Sequence, residues 1–455
     1  MNQIHAYIDR HEARNTEELL DFLRIPSVSA RSEHREDTRT AARWLAERMQ
    51  DAGLNATVHE TPGHPVVLGE WLGAGENTRT LLIYGHYDVQ PPEPLELWTT
   101  PPFEPALRDG RLFARGSVDD KGQLYLHIKA LQAHLKVHGR LPVNVIVIAE
   151  GEEEVGSANL MPFVSSNTER LRCDAVVISD SSMLAPGMPT IGASLRGLAY
   201  FQVNVRGPAS DLHSGSYGGA VLNPATALAR IIASFHDENG HIAIPGFYDN
   251  VKAAKDYADQ IRTLPFDEKV FLNETGSAAL GGETGFTTFE RLWIRPTCEV
   301  NGLLSGYTGE GSKTVLPSRA MAKVSCRLVP DQDPERIQKL FVEHVRNVAP
   351  AGVTVDVEIM HGGKPWRAKL GGTLYDAASK ALQHAFGRPV IYAGEGGSIP
   401  IVPEFESVLG APVLLMGFGL PGENAHAPDE WLSLENYRKG THAAAALLEE
   451  FARSE

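Results

Sequence analysis

Along the first 190 residues, short apolar runs alternate with segments whose apolar positions recur at helical spacing. "TLLIYGHYDV", "VNVIVIAEGE" and "AVVISDSS" each carry a short apolar-rich core and end on polar groups, which predicts buried strands. Between the first two, "DDKGQLYLHIKALQAHLKVHG" sets Leu124, Ile128, Leu131 and Leu135 on one helical face, with Gly139 as its stop. The N-terminal "MNQIHAYIDRHEARNTEELLDFL" reads as amphipathic helix, and it lacks the apolar core of a signal segment. Strands alternating with helices predict an α/β fold whose mostly parallel sheet is flanked by helices on both sides.

The pattern changes near Gly192. "GLAYFQVNVRG" alternates like a half-exposed strand, and "NPATALARIIASFH" follows as a helix with Asn223 as N-cap and Pro224 in its first turn. Then come a strand in "AMAKVSCRLVP", a helix from Pro334 to about Val348, and a strand in "VTVDVEIM". Two such halves predict a small α+β domain of ferredoxin-like type, an antiparallel sheet with helices on one face. The stretch 240–312 is Gly-rich and irregular. After Pro365 the α/β pattern resumes with "TLYDAASKALQHAFG", "APVLLMGFG" and a helix from Leu434 to Arg453. The simplest organisation is a discontinuous catalytic domain, 1–190 plus 366–455, with a second domain, 191–365, inserted into it. No repeat at solenoid spacing interrupts this pattern.

Composition narrows the partners. The 455 residues carry a formal net charge of −15 at pH 7, which argues against nucleic acid and anionic membranes as partners. No apolar run approaches the roughly 20 residues needed to span a bilayer. Cys173, Cys298 and Cys326 are odd in number and form no CxxC pair, as expected of buried free thiols in a reducing, cytoplasmic setting.

The chemistry gathers where strands end. In open α/β sheets, ligands bind beyond the carboxyl ends of the strands. Those ends carry His86 and Asp88, then Glu152, Glu153 and Glu154, then Asp180, then His426, while Asp119 and Asp120 stand just before a helix. Taken singly, each serves as well as a turn or capping group. Together they set two histidines and several carboxylates on one rim. Like charges this dense repel unless cations lie among them. Imidazole with carboxylate suits zinc, with manganese or cobalt as alternatives. The acids outnumber the needs of one tetrahedral ion, so two divalent ions about 3.5–4 Å apart, sharing a carboxylate, are expected.

"GHYDVQP", "ARGSVDDKGQ", "EGEEEVGS", "VISDSS", "DLHSGSYGGAVLNP", "KTVLPSR", "SCRLVP", "GEGGSIP" and "ENAHAPDE" follow one another from 85 to 430. This series resembles the co-catalytic metallopeptidases that include carnosinases, cytosolic non-specific dipeptidase, aminoacylases and succinyl-diaminopimelate desuccinylase. "EGEEEVGS" with "GEGGSIP" is more similar to the dipeptidase branch. The resemblance implies a zinc-exopeptidase-like fold in which Asp119 bridges two metals. His86 and Asp180 would complete one metal site, Glu154 and His426 the other, and Glu153 would be the catalytic base. The register within the three glutamates rests on Gly156 and Ser157, which leave Glu152 as the lesser candidate. Asp88 suits a supporting role, accepting the other ring N–H of His86, and suits equally a turn at the strand end.

By the same resemblance, His213 reaches from the inserted domain of one subunit into the site of its partner, so a homodimer through that domain is expected. Thr314 and Ser398 would contact substrate. Arg327 lies in an apolar strand and needs a partner, either an internal acid or a substrate carboxylate held by its fork. These roles would need the inserted domain to close over the site as a lid. A water between two such ions becomes a strong nucleophile near neutral pH. With Glu153 passing its proton to the leaving amine, the expected reaction is amide hydrolysis of dipeptides or short peptide-like substrates with a free carboxylate. N-acyl-amino-acid hydrolysis is the alternative, and a non-catalytic metal-binding protein on the same fold is the alternative of another class. No GxSxG elbow follows a strand, which disfavours serine chemistry.

Overall fold

Thr80–His86 and Asn144–Glu150 lie side by side as parallel strands, Thr80 opposite Asn144 and His86 opposite Glu150. Ala175–Ile178 pairs with the free side of Thr80–His86, and Val413–Leu415 follows, both parallel. These strands are buried along nearly their whole length, which is why they read as continuous apolar runs instead of alternating ones. The computed structural model of the chain describes residues 1–252 and 255–453.

Antiparallel strands flank this centre. Val66–Trp71 pairs with Asn144–Glu150 and Asn55–His59 lies beyond it; on the other side Thr190–Leu195 pairs with Val413–Leu415. The sheet is therefore mixed, parallel in the strands whose ends carry the polar cluster. The helix Lys121–His138 is buried on every side from Lys121 to His134, not along one face only. Gly139, at φ +68°, ends it and donates its N–H to the Leu135 carbonyl. The N-terminal segment runs as two helices, Asn2–Arg10 and Glu12–Leu23, parted at His11, and Cys173 is only half-buried.

The chain divides into two compact units. One comprises Met1–Ala193, Ala368–Ala393 and Ile401–Glu455; the other comprises Ser194–Arg367 and Gly394–Pro400. Gly394–Pro400 therefore groups with the second unit, although the sequence pattern assigns it to the first.

In the second unit Gly197–Arg206, Pro224–Ala233, Thr297–Ser305, Arg319–Leu328, Pro334–Val348 and Thr354–Gly363 follow as strand–helix–strand–strand–helix–strand. The four strands form an antiparallel sheet with Arg319–Leu328 and Gly197–Arg206 at its centre, a ferredoxin-like arrangement. Ala199, Phe201, Val203 and Val205 alternate into the core and meet both helices; the Phe201 and Phe341 rings stack 4.0 Å apart. Asn223 and Asp333 cap the helices through the N–H groups of Ala225 and Glu335, each with proline next in the chain. Within 240–312, which sequence left irregular, are the helices Lys255–Arg262, Glu268–Thr275 and Thr288–Trp293. The last opens on a capping box between Thr287 and Glu290.

Candidate metal centre

His86 is the last residue of its strand and its ring is closed to solvent. Its Nε2 lies 3.0 Å from Asp119 Oδ1 and 3.8 Å from Asp180 Oδ2. On the far side of the ring, Nδ1 lies 3.1 Å from the Asp88 backbone carbonyl, which can only accept. The proton of a neutral ring therefore sits on Nδ1, and the Nε2 lone pair faces the acids.

Asp119 reaches a second imidazole with its other oxygen: Oδ2 lies 2.8 Å from His426 Nε2, which in turn lies 3.2 Å from Glu154 Oε2. Two triads result, His86–Asp119–Asp180 and Asp119–Glu154–His426, each with ligand atoms within 4.8 Å of one another. Each offers one imidazole nitrogen and carboxylate oxygens, and Asp119 belongs to both.

The surrounding bonds explain why these side chains stand where they do. Glu430 accepts from the N–H groups of Gly116, Val118 and Asp119 and from Arg115 Nη1, and so shapes the loop that presents Asp119. Asp120 accepts from the His86 N–H at 3.1 Å. Gln90 Nε2 donates to Glu154 Oε2 at 2.8 Å. His426 holds φ +61°, a left-handed conformation uncommon outside glycine, in a turn closed by the Ala427 N–H on Asn424 O.

Asp88 differs in detail from expectation. Its carboxylate lies 3.4 Å from His86 Nδ1, farther than its own carbonyl. Its two oxygens instead accept the N–H groups of Glu153 and Glu154, both at 3.2 Å, and so orient the acidic turn. Glu152 is occupied elsewhere, accepting from His64 N–H and Asn159 Nδ2. Glu150, beneath the turn, accepts from Tyr84 Oη and Ser157 Oγ; burial pushes its carboxyl up to about 8, against the pull of the Tyr84 bond.

The electrostatics show how strongly the acids act on one another. Burial, then the charge of Asp119, pushes Asp180 up to about 7. Burial raises Glu153 well above the carboxylate range despite nearby His86, with Asp180, Glu154 and Asp88 adding to the rise. Burial would lower His86, yet its bonds to Asp119 and Asp88 hold it well above its usual value. His426 is pushed up to about 10 by its bonds to Asp119 and Glu154. Carboxylates this crowded need positive charge, and the mixed nitrogen and oxygen donor set fits divalent cations.

The remaining expected residues lie in the second unit, in two places. His213 pairs opposite Val315 in a two-stranded ladder, and the carbonyl of the neighbouring Thr314 accepts from Ser214 N–H. His213 Nδ1 accepts the N–H groups of Gly215 and Ser216, so a neutral ring carries its proton on Nε2, on an exposed side chain. Arg327 stands near the far end of Arg319–Leu328, its Nη1 donating to Ser398 Oγ at 2.8 Å. Asp211, two residues before His213, accepts from the Ser318 N–H and Oγ at the Arg319 end of this strand, whose run from Arg319 to Arg327 is roughly 26 Å long at about 3.3 Å per residue.

Sequence reading missed Glu430, Gln90 and Arg196. Glu430 sits four residues beyond His426 in a quoted motif, a hint of involvement but not of its bonds. Gln90 gave no chemical signal. Arg196, buried near Ser398, was hidden by a strand boundary.

The profile of Peptidase family M20/M25/M40 matches residues 82–450. The chain is 32% identical over 473 residues to the Cys-Gly metallodipeptidase dug1 of Schizosaccharomyces pombe, covering 99% of this chain and 98% of that one. It is 30% identical over 472 residues to the Beta-Ala-His dipeptidase of Homo sapiens, covering 100% and 93%. An M20 family metallo-carboxypeptidase from Sulfolobus solfataricus has the same fold, with a TM-score of 0.86 at 33% identity and coverage of 96% and 99%. Among the described residues no helix is long and apolar enough to cross a membrane.

Proposed function

The chain belongs to peptidase family M20/M25/M40, and on that footing we propose that it is a two-metal hydrolase of dipeptides with a free C-terminal carboxylate. The observation that carries this reading is Asp119, whose two oxygens stand 3.0 and 2.8 Å from Nε2 of His86 and of His426. His86, Asp119 and Asp180 would hold one divalent ion, and Asp119, Glu154 and His426 the other. Zinc is the proposed metal, with manganese and cobalt as alternatives. When bound, such ions supply Lewis acidity to the scissile carbonyl and ease deprotonation of water.

The chain's own residues do the rest. Glu153 takes the proton of the attacking water and returns it to the departing nitrogen, one group serving as base and then acid. Asp88 keeps the acidic turn in register through two backbone amides. Arg327 receives the substrate carboxylate. His213 donates from Nε2 to the developing oxyanion.

The strand run of roughly 26 Å from Arg319, at the end where Asp211 meets Ser318, to Arg327 supports a homodimer with composite sites. A dipeptide is far too short to meet both His213 and Arg327 of one chain, so His213 and Thr314 would serve the partner's site. The names of relatives favour dipeptides, while the carboxypeptidase likeness favours longer peptides as a second reading. Both need the same carboxylate seat. Assay of the metal-reconstituted protein on dipeptides, N-acyl amino acids and tetrapeptides separates them. Turnover of dipeptides at least tenfold above the other classes supports the proposal, and preference for either other class overturns it.

A further inference from the structure

At the end of the second unit's sheet that carries Arg327, a second arginine shares the space. Arg327 pairs with Leu198, and Arg196 stands just ahead of Gly197, the partner of Leu328. Arg196 is 8% exposed, and its Nη1 is buried with no hydrogen-bond partner. Its other polar groups hold three consecutive residues: its N–H donates to Gly397 O at 3.1 Å, its Nε donates to Gly396 O at 2.9 Å, and its carbonyl accepts from Ser398 Oγ at 2.5 Å.

This arrangement assigns the single proton of Ser398. The Arg196 carbonyl can only accept, so the hydroxyl proton points there, and Oγ turns a lone pair toward Arg327 Nη1. Ser398 in this state has no proton left for a substrate; it steers Arg327. Two guanidiniums drawn together under burial repel, and an anion between or beside them relieves that repulsion. Burial, then the charge of Arg327, brings Arg196 down to about 10, with Glu395 and Glu299 opposing more weakly; burial alone lowers Arg327. Glu395, the strongest opposing acid, has one oxygen on Gly396 N–H and is itself pushed up by burial.

We propose that the Arg196 guanidinium is a positioning group for the carboxylate seat: its Nε holds Gly396 next to the segment whose Ser398 hydroxyl the Arg196 backbone carbonyl commits, and its charge beside Arg327 makes the seat select ionised carboxylates over neutral C-termini. The inference rests on the proposed role of Arg327 in dipeptide hydrolysis.

The test compares a dipeptide with its C-terminal amide as substrates. In Arg196→Met the KM for the free acid should rise about tenfold or more, with kcat within threefold, metal content unchanged and the KM for the amide unmoved. Arg196→Lys, which keeps charge without the fork, should fall between. An acid-to-amide discrimination within twofold of wild type in both variants overturns the inference, as does an equal loss on both substrates. Should Arg196→Met not fold, Arg196→Lys carries the same test. Calorimetric titration with glycine needs no turnover and separates this inference from the dipeptidase reading. Wild-type glycine binding that weakens about tenfold in the variant supports it; equal binding, or none in wild type, overturns it.

Discussion

Arg115 Nη1 and Glu430 Oε2 lie 2.7 Å apart, with neither side chain open to solvent. The pair does more than neutralise itself, because Glu430 also gathers three backbone N–H groups of the loop that ends in Asp119. Glu430→Gln should weaken metal binding by about 10–100-fold, as loss of a ligand's supporting bonds does elsewhere. It should also cost about 3–5 kcal/mol of stability, since Arg115 is left buried without its charge partner. Competition with a chelator reads the first effect and urea unfolding of the metal-depleted protein the second. Metal affinity within twofold of wild type would show that the Asp119 loop holds itself.

Asp88 gives a sharper case, because its carboxylate binds the amides of Glu153 and Glu154 and only its carbonyl contacts the His86 ring closely. Asp88→Ala keeps that carbonyl. The expected outcome is two bound metals per chain with kcat down about 10–100-fold. Loss of one metal would mean that the carboxylate supports His86 after all.

The composite site makes a prediction that needs two inactive proteins. His213→Ala and Glu153→Ala chains, each nearly silent alone, should regain activity after subunit exchange, toward a quarter of wild type for random mixing. Exchange proven by mass labelling, with no recovery, would place His213 in the site of its own chain.

Acid sensitivity has a source away from the metals. His127 is buried in the all-round core helix, and burial pulls its pKa down to about 4. Ser179 spends its hydroxyl proton on Met416 O, so His127 donates from Nε2 to Ser179 Oγ and stays neutral. Between about pH 6.5 and 4 the unfolded chain binds a proton that the folded chain refuses. Stability therefore rises with pH across this window and is lost on acidification, by at most about 3 kcal/mol from this group. His127→Gln in metal-depleted protein should flatten the dependence of unfolding free energy on pH there. An unchanged slope would assign the sensitivity to other groups.

What was legible in the sequence was what periodicity and strand ends encode. Continuous apolar runs at Thr80–His86 and Asn144–Glu150 mark strands buried on both faces, and the polar residues just past them converge because parallel strands end on one rim. Alternation in Gly197–Arg206 likewise announced a sheet with one face covered. Roles set by backbone groups were not legible. A pattern of residue types cannot tell that the Asp88 carbonyl, more than its carboxylate, meets His86, or that the Ser398 proton is committed to Arg196. The antiparallel flank and the helices within 240–312 were also hidden, since short, partly exposed elements carry little periodic signal.

Two cations sharing Asp119 should be counted by titrating the metal-depleted protein. Dipeptide hydrolysis followed against added Zn²⁺ or Mn²⁺ should rise to a break at two equivalents per chain, and Asp119→Asn should show neither the break nor the activity. A plateau at one equivalent, or full hydrolysis before any metal is added, would rule out a shared pair of ions.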